Sequence, residues 1–98
     1  MSAEAPTYET TDWPQIVALY GLLEQAVPGA TVRLNRAVAV AMLDGPAAGL
    51  AEVDAIESAG ELAGHHRVPA VRAHLLAELG RTSEARAAFE RALELATS

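Results

Sequence analysis

The sequence predicts an all-α protein of five antiparallel helices arranged as stacked helix hairpins. Three observations carry that expectation. The chain of 98 residues is 51% apolar, dominated by Ala and Leu, and only 4% aromatic. That composition suits closely packed helices better than a sheet, which draws on Val, Ile, Thr and Tyr. Apolar residues recur at three- and four-residue spacings, the period of a helix with one covered face. Val27-Pro28-Gly29, Asp44-Gly45-Pro46 and the Gly80-Arg81 turn punctuate these stretches, and Gly and Pro in such places stop one helix before the next begins. A chain of this length makes one domain and buries roughly 60–70% of the surface of its unfolded state, enough for one modest core.

Residues 1–10 are polar, contain Pro6 and show no period. They read as a flexible lead-in, with Tyr8 placed to pack on the first helix, ahead of a single helical domain over 11–98. Asp12 is a suitable N-cap. Gln15 follows at capping-box distance, and Pro14 is tolerated in a first turn. Helix one then runs to about Gln25 or Ala26. Trp13, Ile16, Val17 and Tyr20 repeat at +3, +4 and +7, and Leu19, Leu22 and Leu23 broaden the apolar face.

Helix two is expected over about Ala30 to Leu43, with Leu34, Ala37, Val38 and Ala41 as its stripe. Gly45 supplies the left-handed residue that ends it, and Pro46 starts the next helix. Helix three, about Ala47 to Glu57, has the thinnest stripe, made by Leu50, Val53 and Ile56 or Glu57. Gly60 and Gly64 make 58–66 a loop. Helix four begins near Pro69, with Leu75, Leu76 and Leu79 on its apolar face. Helix five follows from Arg81 to about Leu95, with Ala85, Ala88, Phe89, Ala92 and Ala96 at i, i+3, i+4, i+7 and i+11. Small Ala85 and Ala92 let two helix axes approach, and the Phe89 ring is expected to fill the space between helices four and five.

That last hairpin resembles a tetratricopeptide repeat: Gly80, Ala85 five residues on, Phe89 four later and Ala92 three later. Gly45 and Gly80 are 35 residues apart, close to the ~34-residue period of such repeats. Helices two and three would then form one hairpin, four and five a second, with helix one added in front. Pro69 and Arg72 depart from the repeat, which prefers Trp and an apolar residue there.

A more specific resemblance covers nearly the whole chain, from about Ala3 to Leu95. The stretches Ala5-Pro-Thr-Tyr-Glu-Thr-Thr-Asp-Trp-Pro-Gln-Ile-Val-Ala-Leu-Tyr20, Val32-Arg-Leu-Asn-Arg-Ala-Val-Ala-Val-Ala41, Asp44-Gly-Pro-Ala-Ala-Gly-Leu50 and Arg72-Ala-His-Leu-Leu-Ala-Glu-Leu-Gly-Arg81 look like the C-terminal extension of one group of bacterial extracytoplasmic-function sigma factors. That group carries a tetratricopeptide-like domain after its two sigma regions. The resemblance implies a fragment of a larger sigma factor, with a regulatory, protein-interaction role in transcription initiation and no catalysis. Its implied partners are the sigma regions of the same factor, core RNA polymerase or a separate regulator. The sigma regions themselves are absent from this sequence, so the chain alone is not expected to start transcription. A free-standing helical adaptor and a small ligand-binding or enzymatic domain are the alternative readings.

Charge and composition narrow the field further. The net charge is -6, which opposes the basic footprint that nucleic-acid binding needs, so no direct DNA binding is expected. Residues 1–66 hold nine acids and two arginines, whereas 67–98 hold five arginines and four glutamates, and there is no lysine. Without cysteine there is no disulfide framework and no thiolate chemistry. No apolar run approaches the ~20 residues of a membrane span, and no basic-then-apolar leader opens the chain; a cytoplasmic location is the expectation.

No catalytic, cofactor-binding or metal-binding residues are assigned. His65, His66 and His74 lack a metal-ligand spacing. Glu52, Asp54 and Glu57 read as a solvated face rather than a hydrolytic pair. Gly45-Pro-Ala-Ala-Gly49 matches neither phosphate-loop pattern. Arg33, Asn35 and Arg36 are different: they interrupt an otherwise Ala/Val helix. They are the candidate partner-binding residues, because planar guanidinium forks beside an amide suit carboxylates and backbone carbonyls. The competing assignment pairs the arginines with Asp12, Glu24 or Glu57 and uses Asn35 as a cap.

Overall fold

In a computed structural model, which describes residues 12–27 and 29–97, the chain forms five α-helices and, among the described residues, no strand. They are α1 (Trp13–Ala26), α2 (Ala30–Asp44), α3 (Pro46–Ser58), α4 (Arg67–Glu78) and α5 (Thr82–Thr97). The expected lead-in, with Tyr8, lies outside the described residues, as does Pro28.

Local chemistry sets the ends. The Asp12 carboxylate accepts from the backbone N–H of Gln15 at 3.1 Å, satisfying one orphan donor of the first turn of α1. Gly45 is the single residue between α2 and α3. Its φ of 102° lies in the left-handed region, and its N–H donates to the Ala41 carbonyl. Helix α4 starts two residues before Pro69. A proline anywhere in a first turn lacks only an N–H that has no intrahelical partner, so Pro69 sits inside the helix and does not mark its start. His65 caps this end, its Nδ1 accepting from the N–H of Arg67 at 3.1 Å. The 59–66 connection is a run of turns, in which Leu62 takes a left-handed φ of 56°.

Each helix packs on the next in sequence, α1 on α2, α2 on α3, α3 on α4 and α4 on α5, with slight contact between α2 and α4. The core lies where α2, α3 and α4 meet, and its largest fully buried side chains are Leu34, Val53, Ile56 and Leu76. Burying one such side chain contributes about 1.5–3 kcal/mol. The thin stripe of α3 is thus the centre of the protein: Leu50, Val53 and Ile56 are all buried. Gly49, on the same helix, lets α3 lie directly against Ala37 and Ala41 of α2.

Several expectations about apolar faces change. Leu79, expected on the face of α4 with Leu75 and Leu76, is the exposed C-cap residue. On α2, Val38 is exposed and Ala39 is buried. On α5, Phe89 does not fill the gap to α4; it is 49% exposed. Ala85 and Ala92 are buried, with Ala88 and Leu95 half-buried beside them. At about 100° per residue these four make one stripe, and Phe89 lies just past its edge. The small alanines, and not the ring, are what α5 buries.

Candidate partner-binding site

The acids of α3 and the loop after it carry no local counter-charge, and the fold supplies it from other helices. Arg33 on α2 pairs with Glu61 of the loop and lies 4.0 Å from Glu24 of α1. Arg36, one turn later, lies 3.5 Å from Glu24 and 3.9 Å from Glu52 of α3. Arg72 on α4 donates from Nη1 to Asp54 at 2.5 Å and to Glu57 at 2.7 Å. The hydrogen bond to Glu57 holds the Arg72 guanidinium above its ordinary pKa; burial opposes this in part, and the nearby Asp54 charge adds to the rise. Arg72, one of the two residues that depart from the resembled repeat, is therefore the ion-pair link between α3 and α4.

Of the three sequence candidates, Arg33 and Arg36 come together and Asn35 does not join them. The two arginines face the acids of α1, α3 and the loop. Asn35 stands roughly 100° and 160° round the helix from them, in line with Val38 and Met42. The two arginines also differ. Arg33 is tied to Glu61 and Glu24, whereas the Arg36 Nε is enclosed without a hydrogen bond. The pairing with Glu24 was open to sequence reasoning; those with Glu52 and Glu61 were not, because separations of 16 and 28 residues leave no periodic signal.

The Val38–Met42 side of α2 and the facing side of α4 enclose a groove of about 350 Å³. Ala41 and Leu75 form its floor, and Val38, Met42, Ala70 and Val71 its walls. Arg67, His74 and Glu78 line it along α4. The sequence reading missed this feature. Its one signal was Arg67, a base at the start of a helix with no acid nearby in its first turn.

A second surface that no other described helix covers lies on α1. Gln15, Glu24 and Gln25 are the only hydrophilic side chains of this helix apart from the Tyr20 hydroxyl. Trp13, Ile16, Val17 and Tyr20 are half-buried, and the helix has no fully buried residue. Leu19, Leu22, Leu23 and Val27, on the outer side, are 44–62% exposed. Elsewhere, His65 and His66 stack with ring centroids 5.1 Å apart, and His74 lies 3.7 Å from Glu78. Among the described residues no three His, Asp or Glu side chains converge as metal ligands would, and no helix is long and apolar enough to cross a membrane.

No family model matches the chain, and no solved structure matches it. It is similar to an uncharacterized protein of Rhizobium meliloti (strain 1021), 46% identical over 99 aligned residues that take in all of this chain and 23% of the relative. The chain therefore spans about a quarter of the length of this curated relative.

Proposed function

We propose that the chain is a non-catalytic regulatory and protein-interaction domain of a bacterial extracytoplasmic-function sigma factor. Its two hairpins, α2–α3 and α4–α5, stack as a short tetratricopeptide-like superhelix with α1 added in front. It modulates transcription initiation in the cytoplasm through contacts with the sigma regions of its own factor, core RNA polymerase or a regulator.

The observation that carries this reading is α1. A helix with apolar residues on two sides belongs between two bodies, and among the described residues only the α2 side of α1 is covered. The stripe of Leu19, Leu22, Leu23 and Val27 is the kind of surface that an amphipathic partner helix covers. In the family that the sequence resembles, the sigma regions precede this domain, so the helix nearest to them is the one left half-bare. A tethered partner meets that face at high effective concentration, so even a modest stripe suffices. The length of the Rhizobium relative is in keeping with such a segment forming one part of a longer chain. Arg36 and Asn35 add a polar contact beside this face and the groove, whereas Arg33 chiefly holds α1, α2 and the loop together. The carboxylates weighed for catalysis, Glu52, Asp54 and Glu57, each lie within 4 Å of an arginine.

The test is made in the intact factor. Leu19→Glu with Leu22→Glu should reduce co-purification with sigma regions and core polymerase and lower sigma-dependent transcription. The same pair in the isolated domain should leave helical signal and melting unchanged. Arg36→Ala and Asn35→Ala should act in the same direction more weakly. Unaltered transcription from the leucine variant would defeat the proposal, and activity lost only in proportion to stability would make Asn35 and Arg36 structural residues.

A further inference from the structure

The charges of α4 are placed against the interest of the helix that bears them. Arg67 is its first residue and Glu78 its last. The N-terminus of a helix carries the positive end of the backbone dipole and the C-terminus the negative end, so bases stabilise the end of a helix and acids its beginning. Here the base is at the start and the acid at the end. No acid stands in the first turn and no base in the last. Among the described residues Arg67, like Arg86 on α5, has no ion-pair partner, although Arg33, Arg36, Arg72, Arg81 and Arg91 each have one. Glu78 has only His74, 3.7 Å away, which is a counter-charge only when protonated.

Both charges line the apolar groove between α2 and α4. The dipole adds to each of them, so the groove is positive at one end and negative at the other. Eleven residues of helix separate them by roughly 16 Å, a distance that about five residues of extended chain cover. The wall between is apolar, and Met42 on it is a flexible side chain that adapts to what it meets. The volume is at the small end of the usual range for binding pockets and takes side chains rather than a folded body.

We infer that the α2–α4 groove is a docking site for a short extended peptide segment, with an acidic residue at the Arg67 end, a basic residue at the Glu78 end and apolar side chains between them. Opposite charges at the two ends fix the direction of the segment, because a reversed peptide meets like charge at both. A polyanion such as nucleic acid is disfavoured by Glu78 and by the net charge of -6. The site involves neither α1 nor the Arg33–Arg36 cluster and stands or falls independently of the sigma-factor reading.

The experiment pans a display library of random twelve-residue peptides against the 98-residue chain. Enriched peptides should share an acid, an apolar centre and a base in one fixed order. Panning the double variant Arg67→Glu, Glu78→Arg should enrich the opposite order. A synthetic peptide chosen on the native chain should bind the double variant roughly tenfold or more weakly. The swapped charges agree with the dipole, so the same variant should melt at a higher temperature than the native chain. Val71→Asp, with helical signal retained, should abolish enrichment. Three results would overturn the assignment: no enrichment on the native chain, the same order on both chains, or enrichment that survives Val71→Asp.

Discussion

Gly49 crosses α2 so closely that a Cβ built on it would lie 2.5 Å from the Cβ of Ala41 and 2.8 Å from the carbonyl oxygen of Ala37. The second of these neighbours is backbone and cannot turn aside. Glycine usually weakens a helix interior by roughly 0.5–1 kcal/mol relative to alanine, so its presence in α3 reflects the crossing. Gly49→Ala should gain that propensity and lose more, since overpacking costs about 1–3 kcal/mol. Thermal or urea unfolding should show a net loss of stability; a more stable variant would show that the two helices stand further apart.

Phe89 and Leu76 should respond very differently to truncation. Leu76 is 1% exposed in the core, and Leu76→Ala should cost about 2–5 kcal/mol. Phe89 is half in solvent at the edge of the α5 stripe, so Phe89→Ala should fall well below the ~3–5 kcal/mol of a buried ring. Parallel denaturation of the two variants decides it, because equal losses would place the ring between the helices.

The Arg72 link joins groups that are all partly in water. Exposed pairs typically contribute about 0–1 kcal/mol and are screened by salt. Arg72→Gln should therefore destabilise the chain slightly at low salt, and the difference should shrink in about 1 M NaCl, where the Debye length is about 3 Å. A penalty that salt does not touch would point to packing of the side-chain stem as the larger part.

The isolated chain should bind duplex DNA negligibly at physiological salt. Arg81 and Arg91 on the C-terminal hairpin already pair with Glu84 and Glu94, and the net charge opposes approach to phosphate. A salt-sensitive mobility shift at micromolar protein would refute this.

Much of the fold could be read directly along the chain, for local reasons. The Asp12 cap, the Gly45–Pro46 junction and the Leu50, Val53, Ile56 spacing act within a few residues of one another, so each leaves its mark in sequence. What could not be read was long-range. The stripe of α5 is rotated because Ala85 and Ala92 fit against α4, a fact about two helices. The acids of α3 looked solvated because their arginines lie on α2 and α4. The candidate site divided for the same reason. Arg33 and Arg36 follow the acids, Asn35 stands on another side of α2, and no spacing within α2 says which neighbour lies on which side.

The succession of the helices, each resting on the one before, bears on how the protein breathes. Contacts between sequence neighbours close small loops, and chains built from them fold rapidly. Opening can also proceed piecemeal from an end. α1, with no fully buried residue, is then the leaf that lifts first. Its amides should exchange with deuterium ahead of those of α3, while the α2–α3–α4 centre stays shut. A helix that detaches without melting its neighbours can trade one covering for another, so whatever lands on its bare leucines also sets how often it leaves the body of the domain.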